Sequence, residues 1–384
     1  MSRLFALVSH ITALAVLAVL TSRLRRNLRF LRRARELSPW TASSPLVSVL
    51  VPARNEAQTI VSCIESLAAQ DYPDFEVMAL DDQSSDETGA LLDELAARHT
   101  NLIVLHGNEE PPAGWNGKSY ACFRLAARAA GEWLLFTDAD TLHTPTSIAQ
   151  GIAQAEGLNV DLLSAFPRQV TGSWSERVVV SFILDFLPLV GLELTAVWRG
   201  ESGRTAANGQ YLLVRAAAYR AVGGHKAVSN ALVDDFVLAK HVRSNGYRIA
   251  LVDGTSMLNC RMYHGAREVW DGFSKNILLA LQTSSAEKRP RWKGLVFAWG
   301  YACVFVLPFY HLLFSDHKSL SLLVIGWLGI LRAIVNRRFT RPCIEVAATP
   351  LAAWTVMAFG LNALFRRIRG RKIAWKGRDY SLTN

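Results

Sequence analysis

Two carboxylates one residue apart, Asp138 and Asp140, end an apolar run of strand length, Trp133-Leu134-Leu135-Phe136. Like charges this close repel each other unless a cation lies between them. Their hard oxygen atoms suit Mg²⁺ or Mn²⁺ bridging to a diphosphate. An isolated Asp-x-Asp also reads as a solvated turn at a strand end, so its surroundings must decide. Lys118 follows the turn-rich loop Pro111-Pro112-Ala113-Gly114-Trp115-Asn116-Gly117 and opens a helix. A point charge beside free backbone N–H groups makes a diphosphate cradle, the other reading being a solvated surface lysine. Asp234-Asp235 opens another helix, where acidic residues also compensate the helix dipole.

The elements that must position these residues alternate. Leu46 to Val51 is a β-branched strand that Pro52 ends, and a helical face of Ile60, Cys63, Ile64 and Leu67 follows. Phe75 to Leu80 is a second strand, ending at Asp81-Asp82; Asp86 or Ser85 then caps a helix through Leu91, Leu92 and Leu95. Leu102 to Leu105 is a third strand, and Asn208 to Val214 and Gly246 to Asp253 read as later ones. Strand, helix and strand in alternation predict an α/β fold, a Rossmann-like, mostly parallel sheet with its loops at one edge. Ligands bind at that edge, so Glu56 and Asp82 become candidates beside Asp138 and Asp140. Gly209 is a position where a sugar can approach the backbone closely, or a plain β-bulge.

The ends differ from the middle. Hydrophobic residues make up 51% of the 384 and the formal net charge is +10. Phe5 to Leu20 is just long enough to cross a bilayer of about 30 Å. Arginines from Arg23 to Arg35 follow it rather than precede it, unlike a cleaved signal peptide, and place that side in the cytoplasm. The alternative is a surface amphipathic helix. Three more apolar blocks span 295–314, 320–335 and 346–365, and a basic stretch runs from Arg366 to Lys376. Three full spans would put that stretch outside, so either the charge rule is broken or one block is re-entrant or interfacial. Basic clusters beside apolar runs indicate a membrane surface before nucleic acid. Five scattered cysteines without paired spacing argue against a disulfide framework or a zinc motif and indicate a reducing compartment.

The strand Val47-Ser48-Val49-Leu50-Val51 runs into Pro52-Ala53-Arg54-Asn55-Glu56; Asp-Asp-Gln-Ser-Ser-Asp-Glu-Thr (81–88) and Thr-Asp-Ala-Asp (137–140) follow in that order. Together they resemble the amino-terminal half of family-2 glycosyltransferases of the GT-A fold, over residues 46 to about 280. The resemblance implies that Pro52, Arg54, Asn55, Glu56 and Asp82 hold the uridine of a UDP-sugar, and that Asp138 and Asp140 carry the metal on its diphosphate. Gly114-Trp115-Asn116-Gly117-Lys118 resembles a membrane-bound subset that glycosylates lipids, including carotenoid- and hopanoid-associated enzymes. Asp234-Asp235 resembles the acidic pair of inverting members, which implies Asp235 as general base and Asp234 as an acceptor-orienting group. Many processive members carry Gln-x-x-Arg-Trp where this chain has Arg267-Glu268-Val269-Trp270, a departure that favours a single transfer. Arg267 can still neutralise the diphosphate and Trp270 floor the acceptor pocket, or both can anchor the domain at lipid head groups. His264 can complete a metal shell or be structural. Trp375 to Tyr380, including Arg378, resembles a terminal motif of lipid glucosyltransferases including ceramide ones; the other reading is a basic anchor.

The expected organisation is an anchor at 1–22, a basic linker at 23–44, the GT-A domain at 45–285 and a membrane region at 286–384. The expected activity is inverting, metal-dependent transfer of one hexose, glucose by family frequency, from a UDP-sugar to a membrane lipid. The expected setting is the inner membrane, multi-pass, with the catalytic domain cytoplasmic and no nucleic-acid partner. A processive polysaccharide synthase and a non-catalytic membrane scaffold are the alternatives.

Overall fold

The computed structural model describes residues 3–36, 44–231, 233–286, 291–369, 373–375 and 378–380. It divides into two units, one of Leu28–Val170 with Glu193–Met262, the other of Met1–Asn27, Thr171–Leu192 and Tyr263–Asn384. The first unit carries strands β1 (Val47–Ala53), β2 (Phe75–Asp81), β3 (Leu102–His106), β4 (Trp133–Phe136), β5 (Thr141–His143), β6 (Leu162–Phe166), β7 (Arg168–Gln169), β8 (Leu212–Arg215), β9 (Ile249–Asp253) and β10 (Leu258–Cys260). Seven of them form one sheet in the order β3-β2-β1-β4-β8-β6-β9.

β3, β2, β1 and β4 run parallel, as the alternation of elements predicts. β8 is antiparallel to both β4 and β6. That reversal matters for the edge: Leu212, the first residue of β8, stands opposite Phe136, the last of β4. The chain therefore enters β8 at the edge where β4 leaves the sheet, and Gly209 and Asp138 line the same cavity there. Gly209 itself precedes the strand, which begins later than the pattern from Asn208 suggests.

β1 is almost wholly buried because helices cover both faces of a parallel sheet, which is why it reads as a continuous apolar run. Its one polar side chain, Ser48, is buried and satisfied: its hydroxyl donates to Glu76 Oε1 at 2.5 Å and accepts from the Gly131 N–H at 2.8 Å. The helix Ile60–Ala68 buries Ile60, Cys63, Ile64 and Leu67, the face expected from their spacing. The helix Thr88–Arg98 departs from expectation in detail. Glu87 is its cap residue and makes no side-chain cap bond. Asp86 acts one position earlier, accepting from the Thr88 N–H at 3.0 Å and the Thr88 hydroxyl at 2.6 Å.

At the amino end one helix runs from Arg3 to Glu36, through both the expected anchor and the described part of the expected linker. Arg and Leu are strong helix formers, and the arginines find partners along the way. Arg33 lies over the Trp198 ring at 5.4 Å and Arg35 pairs with Asp253 at 3.3 Å. Residues 37–43 of the expected linker lie outside the described residues.

In the second unit the apolar blocks are helices. Arg3–Glu36 and Lys318–Arg338 are each long and apolar enough to cross a membrane. The block at 295–314 is two helices, Trp292–Phe305 and Leu307–Phe314, bent by 49°. Pro308 in the first turn after the break cannot continue a hydrogen-bond ladder from the helix before it. Thr349–Ile368 takes Pro350 into its first turn, where proline is tolerated. Residues 171–192, expected inside the α/β domain, pack here instead: the helix Trp174–Val180 contacts the helices Ala266–Ala286 and Thr349–Ile368. Large apolar side chains such as Leu295, Phe297, Phe314 and Leu361 stay exposed on these helices.

A Cβ on Gly131 would lie 2.6 Å from the Ser48 nitrogen and 2.7 Å from the Trp133 carbonyl oxygen, both backbone atoms of the central strands. Gly131→Ala is expected to destabilise the protein by about 1–3 kcal/mol, read as a drop of several degrees in the melting temperature of detergent-purified protein.

Candidate active site

The turn after β4 is held from behind by a buried polar network. Thr137 donates its N–H to the Leu50 carbonyl of β1 at 3.1 Å and its hydroxyl to the Gln210 carbonyl at 2.8 Å. The Thr141 hydroxyl donates to the Asp138 carbonyl at 2.7 Å, closing the turn. His143 contacts both hydroxyls through Nε2, at 3.0 and 3.2 Å, and Ser147 through Nδ1 at 2.9 Å. Burial pushes this imidazole down to about 3, so it is a neutral structural pin. On a backbone so fixed, Asp138 and Asp140 are both half-buried at the edge.

Those carboxylates have acidic company. Burial first, then Asp140, Glu56 and Asp138, against a hydrogen bond with Thr141, push the Cys63 thiol up to about 12. Three carboxylates from two separate loops thus act on one buried sulfur. Asp138 has a cation partner: Lys118 Nζ lies 2.6 Å from Asp138 Oδ1. Burial works against the charge on Lys118, and Asp138 and Asp234 more than offset it, holding the ammonium well above the ordinary lysine range. Lys118 reaches this point because Asn116 caps its helix, the Asn116 side chain accepting from the Ser119 N–H at 2.7 Å.

Asp234 and Asp235 begin the helix Asp234–Ser244. Asp235 accepts from the Gly209 N–H at 2.6 Å through Oδ2 and from the Phe236 N–H at 2.7 Å through Oδ1. Burial and the neighbouring Asp234 nonetheless raise its carboxyl to about 6, against the lowering effect of Lys118 and the two N–H donors. Pro52, Lys118, Cys122, Thr137, Asp138, Gly209, His225, Asp234 and Asp235 all line one cavity. Its volume of about 10 Å³ is room for one water or one bare ion.

A family model for glycosyl transferase family 2 matches residues 48–218, from the second residue of β1 to just beyond β8. Residues 48–218 thus carry the pattern of a family-2 domain. It is similar to the 4,4'-diaponeurosporenoate glycosyltransferase of Staphylococcus aureus strain MRSA252, 25% identical over 67% of this chain and 66% of that protein. The namesake from strain USA300 is 24% identical over 88% of each chain. Among solved structures, the mannosyltransferase PcManGT from Pyrobaculum calidifontis, in complex with GDP-Man and Mn²⁺, shares the fold with a TM-score of 0.55. Its sequence is 19% identical over 94% of this chain and 99% of that one. These likenesses make the chain a glycosyltransferase, with the GT-A fold that the resemblance of its motifs implies.

Within this family-2 domain the structure brings the expected residues together in two groups. Pro52, Lys118, Asp138, Gly209, Asp234 and Asp235 share the cavity. Arg54, Asn55, Glu56 and Asp82 form the junction between the loops after β1 and β2. Arg54 donates to the Asp82 carbonyl at 2.6 Å and its guanidinium lies 3.8 Å from the Asp82 carboxylate. Asn55 holds a left-handed φ of 53° and accepts from the Ser85 N–H at 2.8 Å. Glu56 accepts from the Thr59 hydroxyl at 3.2 Å through Oε2, and its N–H donates to Thr88 at 2.8 Å.

Arg267, Trp270 and Arg378 belong to the other unit. Arg267 is exposed on the helix Ala266–Ala286, and Trp270 packs edge-on against Phe359 at 5.2 Å. His264 is half exposed, 3.7 Å from Glu268. Arg378 starts the strand Arg378–Tyr380, paired with Ile373–Trp375, while Lys376 and Gly377 of the same motif lie outside the described residues. Sequence reasoning missed Cys122 and His225 as cavity-lining groups. The cysteine carries no spacing signal, and the histidine is legible only as part of Gly223-Gly224-His225.

A Cβ on Gly209 would lie 3.2 Å from Asp235 Oδ2 and 3.3 Å from Asp235 Cβ. Gly209→Ala is expected to displace the carboxylate by a few tenths of an ångström and lower the transfer rate about tenfold with the melting temperature little changed, checked by initial rates beside a melting curve.

Proposed function

We propose that this glycosyltransferase moves a single hexose from a UDP-sugar to a lipid acceptor held in the membrane, with inversion at the anomeric carbon. One observation carries the reading: Lys118, Asp138, Asp234 and Asp235, from three separated stretches of chain, face the same small cavity at the carboxyl edge of the sheet. The edge itself supports a donor site, since Pro52 and the Arg54–Asp82 junction adjoin it.

Asp138 and Asp140 fit a divalent cation. An ammonium already stands against Asp138 at 2.6 Å, so the position accepts positive charge, and the donor atoms are the hard oxygens that Mg²⁺ and Mn²⁺ prefer. When bound there, the metal supplies charge neutralisation for the leaving diphosphate. Lys118 adds a second positive charge on the same side. Asp235 takes the proton of the acceptor hydroxyl as its oxygen bonds to the anomeric carbon and the sugar–phosphate bond breaks. Both Asp235 oxygens are oriented by backbone N–H groups, so the base needs little reorganisation. Asp234 helps to orient the acceptor. A single carboxylate on that side suffices for direct displacement.

The lipid acceptor is supported by the apolar helices and by the S. aureus relatives, which are named for transfer to 4,4'-diaponeurosporenoate, a carotenoid-related compound. Helices able to cross a bilayer suit an enzyme whose substrate cannot leave it. Glucose and uridine come from the sequence resemblance, and the fold neighbour's GDP-Man makes a comparison of UDP- and GDP-hexoses the first donor assay.

Asp138→Ala and Asp140→Ala are expected to abolish transfer while the protein still inserts in membranes; turnover equal to wild type in either variant removes the metal assignment. Asp235→Asn is expected to bind donor normally and lose about 10²–10⁴-fold in turnover. In the wild type, turnover should fall as pH drops through about 6, because protonation of Asp235 removes the acceptor for the proton. A rate independent of pH across that range, or normal turnover in the asparagine variant, disqualifies Asp235 as base.

A further inference from the structure

Two side chains that the transfer chemistry does not use meet a third, Asp234, on one wall of the cavity. Cys122 comes from the helix Gly117–Arg128, His225 from the segment Gly224–Val228, and Asp234 from the start of the helix Asp234–Ser244. One ligand atom from each lies within 4.8 Å of the others. His225 Nε2 and Asp234 Oδ2 are 3.8 Å apart, close to the separation of about 3.5 Å between ligands of a tetrahedral zinc ion. Cys122 and His225 are each 2% exposed and Asp234 is 9% exposed.

The imidazole is held rigidly for this geometry. Its Nδ1 is 2.9 Å from the Tyr219 hydroxyl, which also accepts the His225 backbone N–H at 3.1 Å. The Phe136 ring packs edge-on against it at 4.8 Å. Nδ1 is thus engaged from behind, and Nε2 lies toward Asp234. A partner on one ring nitrogen, with the other toward a carboxylate, is the arrangement metal-binding histidines use.

We infer that Cys122, His225 and Asp234 form a site for a thiophilic divalent ion of the zinc class, separate from the hard-oxygen pair Asp138 and Asp140. Three protein ligands from sulfur, nitrogen and oxygen leave a fourth position open, as in tetrahedral zinc sites that bind water. The cavity of about 10 Å³ matches a single ion or water. Charge favours the same occupant. Three carboxylates (Asp138, Asp234, Asp235) and one ammonium (Lys118) line it, a formal balance of −2 when all are ionised. Lys118 is bonded to Asp138 and also acts on Asp234 and Cys122, so a cation already stands beside this wall of the cavity.

Binding requires two proton movements. The Cys122 thiol releases its proton to solvent as the sulfur–metal bond forms. His225 presents a bare Nε2 by carrying its proton on Nδ1, where the Tyr219 oxygen accepts it. An ion so placed is held by the residue next to Asp235 and takes up the negative charge of Asp234, which links the site to the acceptor side of the cavity.

Cobalt(II) is the probe, since thiolate ligation gives an intense near-ultraviolet charge-transfer band and tetrahedral geometry gives strong visible bands. Titration of the full-length protein in detergent is expected to show both, saturating at one ion per chain, with zinc displacing the cobalt. Cys122→Ser should lose the charge-transfer band, and His225→Gln should weaken or shift the visible bands. Asp138→Asn with Asp140→Asn should retain both features. Burial first, and then Asp140 and Asp138, also raise the Cys63 and Cys260 thiols, so two further sulfurs lie near carboxylates. A band that survives in Cys122→Ser, or is lost in the Asp138/Asp140 variant, therefore assigns the sulfur elsewhere and overturns the proposal. Absence of any band in folded wild-type protein, with folding checked by circular dichroism, overturns it as well. The readout is optical, so it stands or fails independently of whether sugar transfer is observed.

Discussion

Like-charge repulsion is the constraint on which this candidate site rests. Glu56, Asp138, Asp140, Asp234 and Asp235 gather at one edge of the sheet, and at an effective dielectric of about 20 two charges ~4 Å apart interact by about 4 kcal/mol. A typical hydrogen bond contributes about 1 kcal/mol net. Lys118 sets an ammonium against Asp138, while burial and the neighbouring Asp234 raise the Asp235 carboxyl to about 6. The cluster is a place that favours positive charge.

The fold makes the cluster possible by topology more than by local preference. Parallel β1, β2 and β4 bring their carboxyl ends to the same edge, which delivers Glu56, Asp82 and Asp138. The reversed strand β8 delivers Gly209 to that edge from the opposite direction, and the Gly209 N–H orients Asp235. A parallel strand at that position would have put Gly209 at the far end of the sheet. Behind the edge, Thr137, Thr141, His143 and Cys63 fix the Asp-x-Asp backbone. The division of labour is that neutral, buried groups set the geometry behind Asp138 and Asp140, which are half-buried at the edge.

The second unit answers a different requirement. Its helices keep large apolar side chains exposed, yet it also buries charge: Arg341 pairs with Asp185 at 2.8 Å, and Arg332 donates to the Ser181 carbonyl at 2.9 Å. Buried pairs of this kind contribute less to stability than to fixing one packing arrangement, because desolvation offsets much of their attraction. They join Thr171–Leu192 to the helices near the carboxyl end, which explains why that segment leaves the α/β unit to which chain order alone assigns it.

Much of this edge of the sheet is legible in the sequence alone. Strand and helix periods follow from side-chain alternation, which is local, so β1, β2, β3 and the helix face of Ile60, Cys63, Ile64 and Leu67 can be read there, as can the carboxylates that end the strands. Residues 23–36 read as a linker because a run of arginines looks like a juxtamembrane tail until Trp198 and Asp253 supply partners for it. What tertiary structure alone decides are the meetings between residues far apart in the chain: Lys118 with Asp138, Gly209 with Asp235, and Cys122 with His225 and Asp234. Periodicity says which way a side chain faces within its own element. It carries no information about which distant side chain it will face there, because that depends on strand order and direction across the whole sheet.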